Sequence, residues 1–135
     1  MLFRSFACAV DIVGPSNLLT FIRSVPPYWK IFLADFYKRI GNPDTDEAFL
    51  KSRSPLFFVD RIKIPLLIAQ GANDPRVKQA ESEQIVQALR EKGIQHEYML
   101  FPDEGHGFAK PENRLKFYQV CEKFLATHLG GRYEL

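Results

Sequence analysis

The 135 residues combine 46% hydrophobic with 25% charged side chains, a balance that excludes a disordered tail or a fibre and predicts one globular core. Eighteen Lys and Arg against sixteen Asp and Glu leave a formal charge of +2, and the cations are scattered along the chain, so no nucleic-acid partner is expected. Residues 6–13 are apolar, but Asp11 interrupts them and no cleavage-site pattern follows, which argues against a signal peptide or a membrane span.

In chain order, residues 6–13 form the first of three β-rich apolar runs. Helical patterns follow over 16–23, near 29–40 after the break at Pro26-Pro27, and over 46–51. The second run, 65–70, is apolar almost throughout, as a parallel strand covered on both faces requires. Residues 78–92 place Ile85, Val86 and Leu89 on one stripe, with Glu81 and Glu83 in the first turn, Lys92 in the last and Gly93 as the stop. The third run is 97–101. Pro111 then opens a helix whose apolar positions Phe117, Cys121, Phe124 and Leu125 recur at helical spacing until Gly130-Gly131. Strands alternating with helices predict an α/β architecture, a parallel sheet of about three strands flanked by helices. Cys8 and Cys121 stand far apart among apolar neighbours, the pattern of reduced, buried thiols in a cytoplasmic protein.

The chemistry-bearing residues lie in the turns after the second and third strands. These read Gly71-Ala72-Asn73-Asp74-Pro75-Arg76-Val77 and Pro102-Asp103-Glu104-Gly105-His106-Gly107-Phe108. Ligands of open α/β sheets bind at the carboxyl ends of the strands, so an acid from one such loop can meet a histidine from its neighbour. A carboxylate on an imidazole fixes its tautomer and steadies the imidazolium that forms when the ring accepts a proton. Gly105 and Gly107 are expected to let the backbone turn around that ring. Taken singly, Asp74 reads as a turn former and His106 as a loop histidine; strand context and order favour the pair.

Other features carry less. Gly14-Pro15-Ser16-Asn17-Leu18 is an incomplete nucleophile elbow, since Leu18 replaces the second glycine, and Ser16 reads more simply as a helix N-cap. Tyr28-Trp29 reads as a packing anchor before a wall of a substrate cleft. His96, His106 and His128 make no metal signature, and no glycine-rich phosphate loop is present, so neither metal nor cofactor is expected.

The stretches Ser54-Pro55-Leu56, 65–77 and 101–108, with Val10-Asp11-Ile12-Val13-Gly14-Pro15-Ser16-Asn17 before them, resemble the catalytic domain of bacterial prolyl oligopeptidase-family serine peptidases, including acylaminoacyl peptidase-like members. The resemblance covers nearly the whole chain. It implies an α/β-hydrolase fold and a Ser-Asp-His triad acting on peptides, with Asp74 as the acid and His106 as the general base. It also implies that Arg76 lies near a substrate carbonyl and Val77 on the wall of the specificity pocket. The family's serine stands in G-x-S-x-G upstream of the acid, and that motif is absent. Residues 1–5 also depart from the family pattern.

The expectation is therefore a single partial domain, the C-terminal part of an α/β-hydrolase, inactive by itself. Two alternatives stay open: a dienelactone hydrolase or carboxylesterase relative, and a non-catalytic α/β binding module. The first strand would lack its neighbour on one side, which predicts a homo-oligomer built on that open edge.

Overall fold

The computed structural model describes residues 6–134. Three strands, β1 (Ala9–Ile12), β2 (Leu66–Gly71) and β3 (His96–Phe101), form one parallel sheet in the order β1-β2-β3. Helices α4 (Gln79–Glu91) and α5 (Pro111–Leu129) follow β2 and β3.

The pleat of β2 decides which helix covers which face. Leu67 and Ala69 join Cys8, Phe101, Phe117 and Phe124 in the core beneath α5. Ile68 points the other way, onto Val59, Ile85, Val86 and Leu89 of the α4 side. Successive side chains of a strand alternate between faces, so a strand with a helix on each side must be apolar in nearly every position. The exception is Gln70, which is fully buried near the end of β2.

Between β1 and β2 the chain makes a helical excursion: α1 (Leu18–Arg23), a 3-10 segment (Pro27–Phe32), α2 (Leu33–Arg39), α3 (Glu47–Ser52) and a second 3-10 segment (Pro55–Arg61). It has a small core of its own around Leu19, Ile22 and Leu50. The helix expected over 16–23 starts two residues later, because the capping side chain is Asn17: its Oδ1 accepts from the Leu19 amide at 3.1 Å. Ser16 is therefore not the N-cap. Its Oγ donates instead to the Glu81 carbonyl at 2.5 Å, and its amide donates to Glu81 Oε2 at 3.1 Å. The same carboxylate accepts from the Asn17 amide at 2.9 Å and from the Thr20 hydroxyl. A glutamate of α4 thus holds the two residues that lead into α1, whose own first amides are met by Ser54 Oγ and Asn17 Oδ1, and it anchors the excursion to the sheet.

Val13, directly after β1, has φ of +52°, a left-handed conformation that is costly for a β-branched residue. It turns the chain out of the sheet while its amide still donates to the Ala69 carbonyl at 2.9 Å. Cys8 and Cys121 are both free. No described helix is long and apolar enough to cross a membrane.

Candidate active site

β2 and β3 run side by side with Gly71 opposite Phe101, so the two loops leave the sheet together. They are laced to one another by backbone bonds from Ala72 N to Phe101 O at 2.9 Å and from Asn73 N to Glu104 O at 2.9 Å. The Asn73 side chain adds a bond to the Pro102 carbonyl at 2.8 Å. Gly71 makes this approach possible: a Cβ there would lie 2.1 Å from the Gly105 carbonyl oxygen.

Asp74 lies in the first loop with its side chain wholly buried, and His106 in the second with its side chain 33% exposed. His106 Nδ1 is 2.8 Å from Asp74 Oδ2. An ionised carboxylate can only accept, so the ring carries its proton on Nδ1 and donates it to Asp74. The second carboxylate oxygen, Oδ1, accepts from the amides of Arg76 at 2.8 Å and Val77 at 3.0 Å. A buried carboxylate is costly unless its oxygens are bonded; here three donors fix it in one orientation. His106 Nε2 has no hydrogen-bond partner among the described residues.

Behind the acid, Gln70 Nε2 donates to the carbonyls of Gly71 and Val77, both at 3.0 Å, and its Oε1 accepts from Ser82 Oγ at 2.8 Å. The acid loop is thereby tied back onto β2 and the first turn of α4. Beneath the histidine, the Glu104 carboxylate accepts from the amides of Ala109 and Lys110 at 3.0 and 2.9 Å and from Asn113 Nδ2 at 2.9 Å. The Asn113 bond, followed by the two amides, holds the Glu104 carboxyl below the usual glutamate range. Phe108 anchors the far side of the loop between Phe101 and Phe117, with ring centroids 4.6 and 5.0 Å away.

Of the two glycines expected to free the turn, Gly107 has φ of +105° and needs to be glycine. Gly105 has no such φ, and a Cβ there would be no nearer than 3.9 Å to the Asn73 carbonyl. The crowding falls on Gly71 instead.

Arg76 is exposed, and its guanidinium lies over the Trp29 ring at 5.6 Å from the centroid. Val77 is 5% exposed; its amide holds Asp74 and its carbonyl holds Gln70. Ser16 is 2% exposed and bonded to Glu81, with no bond to His106. Among the described residues, no three metal-binding side chains cluster.

Gln70, Glu104 and Ser82 were not singled out from the sequence. A lone Gln inside an apolar parallel strand was a usable signal, because a buried amide must find partners. Glu104 carried none beyond its place beside His106.

A parallel sheet with a buried acid and a histidine on adjacent carboxyl-end loops defines the α/β-hydrolase fold class. The chain belongs to the prolyl oligopeptidase family, whose model matches residues 3–132. It is 61% identical over 132 residues to dipeptidyl aminopeptidase BIII of Pseudoxanthomonas mexicana, covering 96% of this chain and 19% of that protein. It is 53% identical over 131 residues to dipeptidyl peptidase family member 6 of Caenorhabditis elegans, covering 95% and 18%. Among solved structures, a Mycobacterium tuberculosis puromycin-hydrolyzing peptidase superposes with a TM-score of 0.86 at 30% identity, over 94% of this chain and 19% of the other. The chain thus spans about a fifth of the length of the relatives it matches.

Proposed function

We propose that this chain supplies the acid and the general base of a Ser-Asp-His triad in a longer serine peptidase that removes dipeptides from peptides. The observation that carries the reading is the 2.8 Å bond from His106 Nδ1 to the buried Asp74 carboxylate, with Nε2 left free on the other side of the ring. In such a site Nε2 takes the proton of a serine as it attacks the peptide carbonyl, then gives it to the leaving amine; Asp74 stays ionised and steadies the imidazolium. Peptide substrates, and dipeptides as the product, are supported by the names of the two relatives at 61% and 53% identity. Arg76 would meet a carbonyl of the bound peptide, and Val77, buried behind it, would back the pocket.

The nucleophile is not in these residues. No G-x-S-x-G occurs in the sequence, and Ser16 is buried against Glu81. On this reading the chain is the portion of the catalytic domain that carries acid and base, and it hydrolyses nothing alone, since a base without a nucleophile has no proton to take. The test is labelling with a fluorophosphonate together with hydrolysis of a dipeptidyl amide. The chain alone should show neither. A longer protein uniting this sequence with a nucleophile-bearing segment should show both, and should lose hydrolysis in His106→Ala. Labelling of the chain alone that disappears in Ser16→Ala would refute the reading.

A further inference from the structure

Trp29 is the single tryptophan of the chain. It sits in the 3-10 segment Pro27–Phe32, its amide bonded to the Pro26 carbonyl at 2.9 Å. Two consecutive prolines fix φ on entry to this turn, and edge-on contacts with Tyr28 and Phe36, at 6.1 and 5.9 Å between centroids, set the plane of the ring. One face of that ring meets the guanidinium of Arg76, two residues beyond the acid.

Two other arginines lie over aromatic rings, Arg53 over Phe49 and Arg61 over Phe58. Each partner there is only three or four residues away in sequence, so those contacts stay within one short stretch of chain. Trp29 and Arg76 come from different elements, and their meeting links the excursion to the acid loop. Among the described residues the Arg76 guanidinium has no ion pair and no hydrogen bond; the bond it forms to Asp74 uses its backbone amide. A ring attracts the guanidinium through its flat face and leaves the N–H fork at its edge uncommitted, whereas a carboxylate would occupy two of those donors. A residue that must keep its donors for an incoming ligand, yet stay in one place, is well served by a ring.

We propose that Trp29 is a positioning residue: it holds the Arg76 guanidinium beside the Asp74–His106 pair with its donors free for a carbonyl oxygen of the bound peptide. The substrate half of this inference rests on the peptidase reading above. It makes Trp29 more than the packing anchor its sequence context implies, since the consequence of the packing is the placement of a charge.

The contact is tested on the chain itself by NMR of the Arg76 Nε–H group. In the wild type its resonance should be displaced by the ring current; Trp29→Phe, which keeps a ring, should retain a displacement, and Trp29→Leu should return it to the position of a free arginine. The His106 Nδ1 proton, bonded to Asp74, should not move in either variant, which separates loss of the contact from loss of the fold. Conversely, Arg76→Met should raise acrylamide quenching of the Trp29 fluorescence about twofold by uncovering the ring face. In a longer, active enzyme carrying this sequence, Trp29→Leu should raise KM about tenfold with kcat nearly unchanged, and Trp29→Phe should stay close to wild type. An Arg76 resonance that ignores Trp29→Leu, or a KM that does not respond to it, would overturn the proposal. Failure of the peptidase reading has a different signature, an enzyme whose kcat survives loss of Asp74 or His106.

Discussion

Gly71 is the residue on which the meeting of the two loops depends, although it carries no chemistry. Any side chain there would drive a Cβ into the Gly105 carbonyl, 2.1 Å away, and backbone cannot yield as a flexible side chain can. Gly71→Ala is expected to destabilise the fold by about 3 kcal/mol, measurable by chemical denaturation, and to lengthen the His106–Asp74 contact. Glu104 acts on the same loop through its charge. Its carboxyl lies below the usual range because Asn113, then the amides of Ala109 and Lys110, favour the ionised form. A group with a depressed folded-state value contributes stability that is full above its unfolded value and is lost as pH falls through the folded one. Acidification below the ordinary glutamate range should therefore release residues 104–110 before the sheet, seen as faster amide exchange at Ala109 and Lys110 than in β2. In Glu104→Gln that acid-dependent step should shrink to the part left by Asp103, which Lys110, then Asn113, hold below the usual range on the same loop; equal pH dependence in both proteins would contradict the assignment. That Asp74 and His106 would meet was legible in the sequence, because two loops after two apolar strands offered an acid and a histidine in order. Their supports were less so: Glu104 and Ser82 act through partners that only the folded chain brings near, and nothing in their local sequence names those partners.

Among the elements, α4 does two jobs from one end. Ser82 in its first turn donates to Gln70 behind the acid loop, while its neighbour Glu81 accepts from the Ser16 and Asn17 amides just before α1, across the molecule. Glu81→Ala would strand the amides of Ser16 and Asn17, both buried, with a cost of about 3 kcal/mol. The loss should be concentrated in the excursion: exchange protection should fall over α1 and α3 while the sheet core keeps its order, and uniform loss across the chain would refute this division. The amphipathic pattern of 78–92 located α4 to within a residue at each end, because a stripe over an apolar sheet imposes its period on the sequence. The excursion was harder to read. Its elements are six or seven residues long, and the second 3-10 segment, Pro55–Arg61, has no helical apolar stripe to announce it. The start of α1 was misplaced because Ser16 and Asn17 are both good capping residues, and the choice between them is made by Glu81, sixty-odd residues away in sequence.

At the scale of the whole molecule, the sheet type followed from the sequence, since only a parallel strand between two helical layers needs the unbroken apolarity of β2. What the sequence could not supply was the side of the sheet each helix takes. In the order β1-β2-β3, β1 pairs with β2 on one side alone among the described residues, and Ile12 at its end is exposed. Leu115, Tyr118 and Leu129 add an exposed apolar stripe along α5. An open edge beside apolar surface favours association, and pairing of two β1 edges about a two-fold axis is the expected form for this chain alone. Light scattering should give a mass above that of one 15.6 kDa chain at micromolar concentration, and Ile12→Lys should shift it toward the monomer. A wild-type monomer would contradict the edge pairing. The account's central claim, that Asp74 and His106 are the acid and base of a peptidase triad, is tested most directly by one rate constant. In a longer enzyme uniting this sequence with its nucleophile, Asp74→Asn should lower kcat on a dipeptidyl amide by about 10⁴-fold while leaving the loop geometry in place, and a fall of less than about tenfold would contradict it.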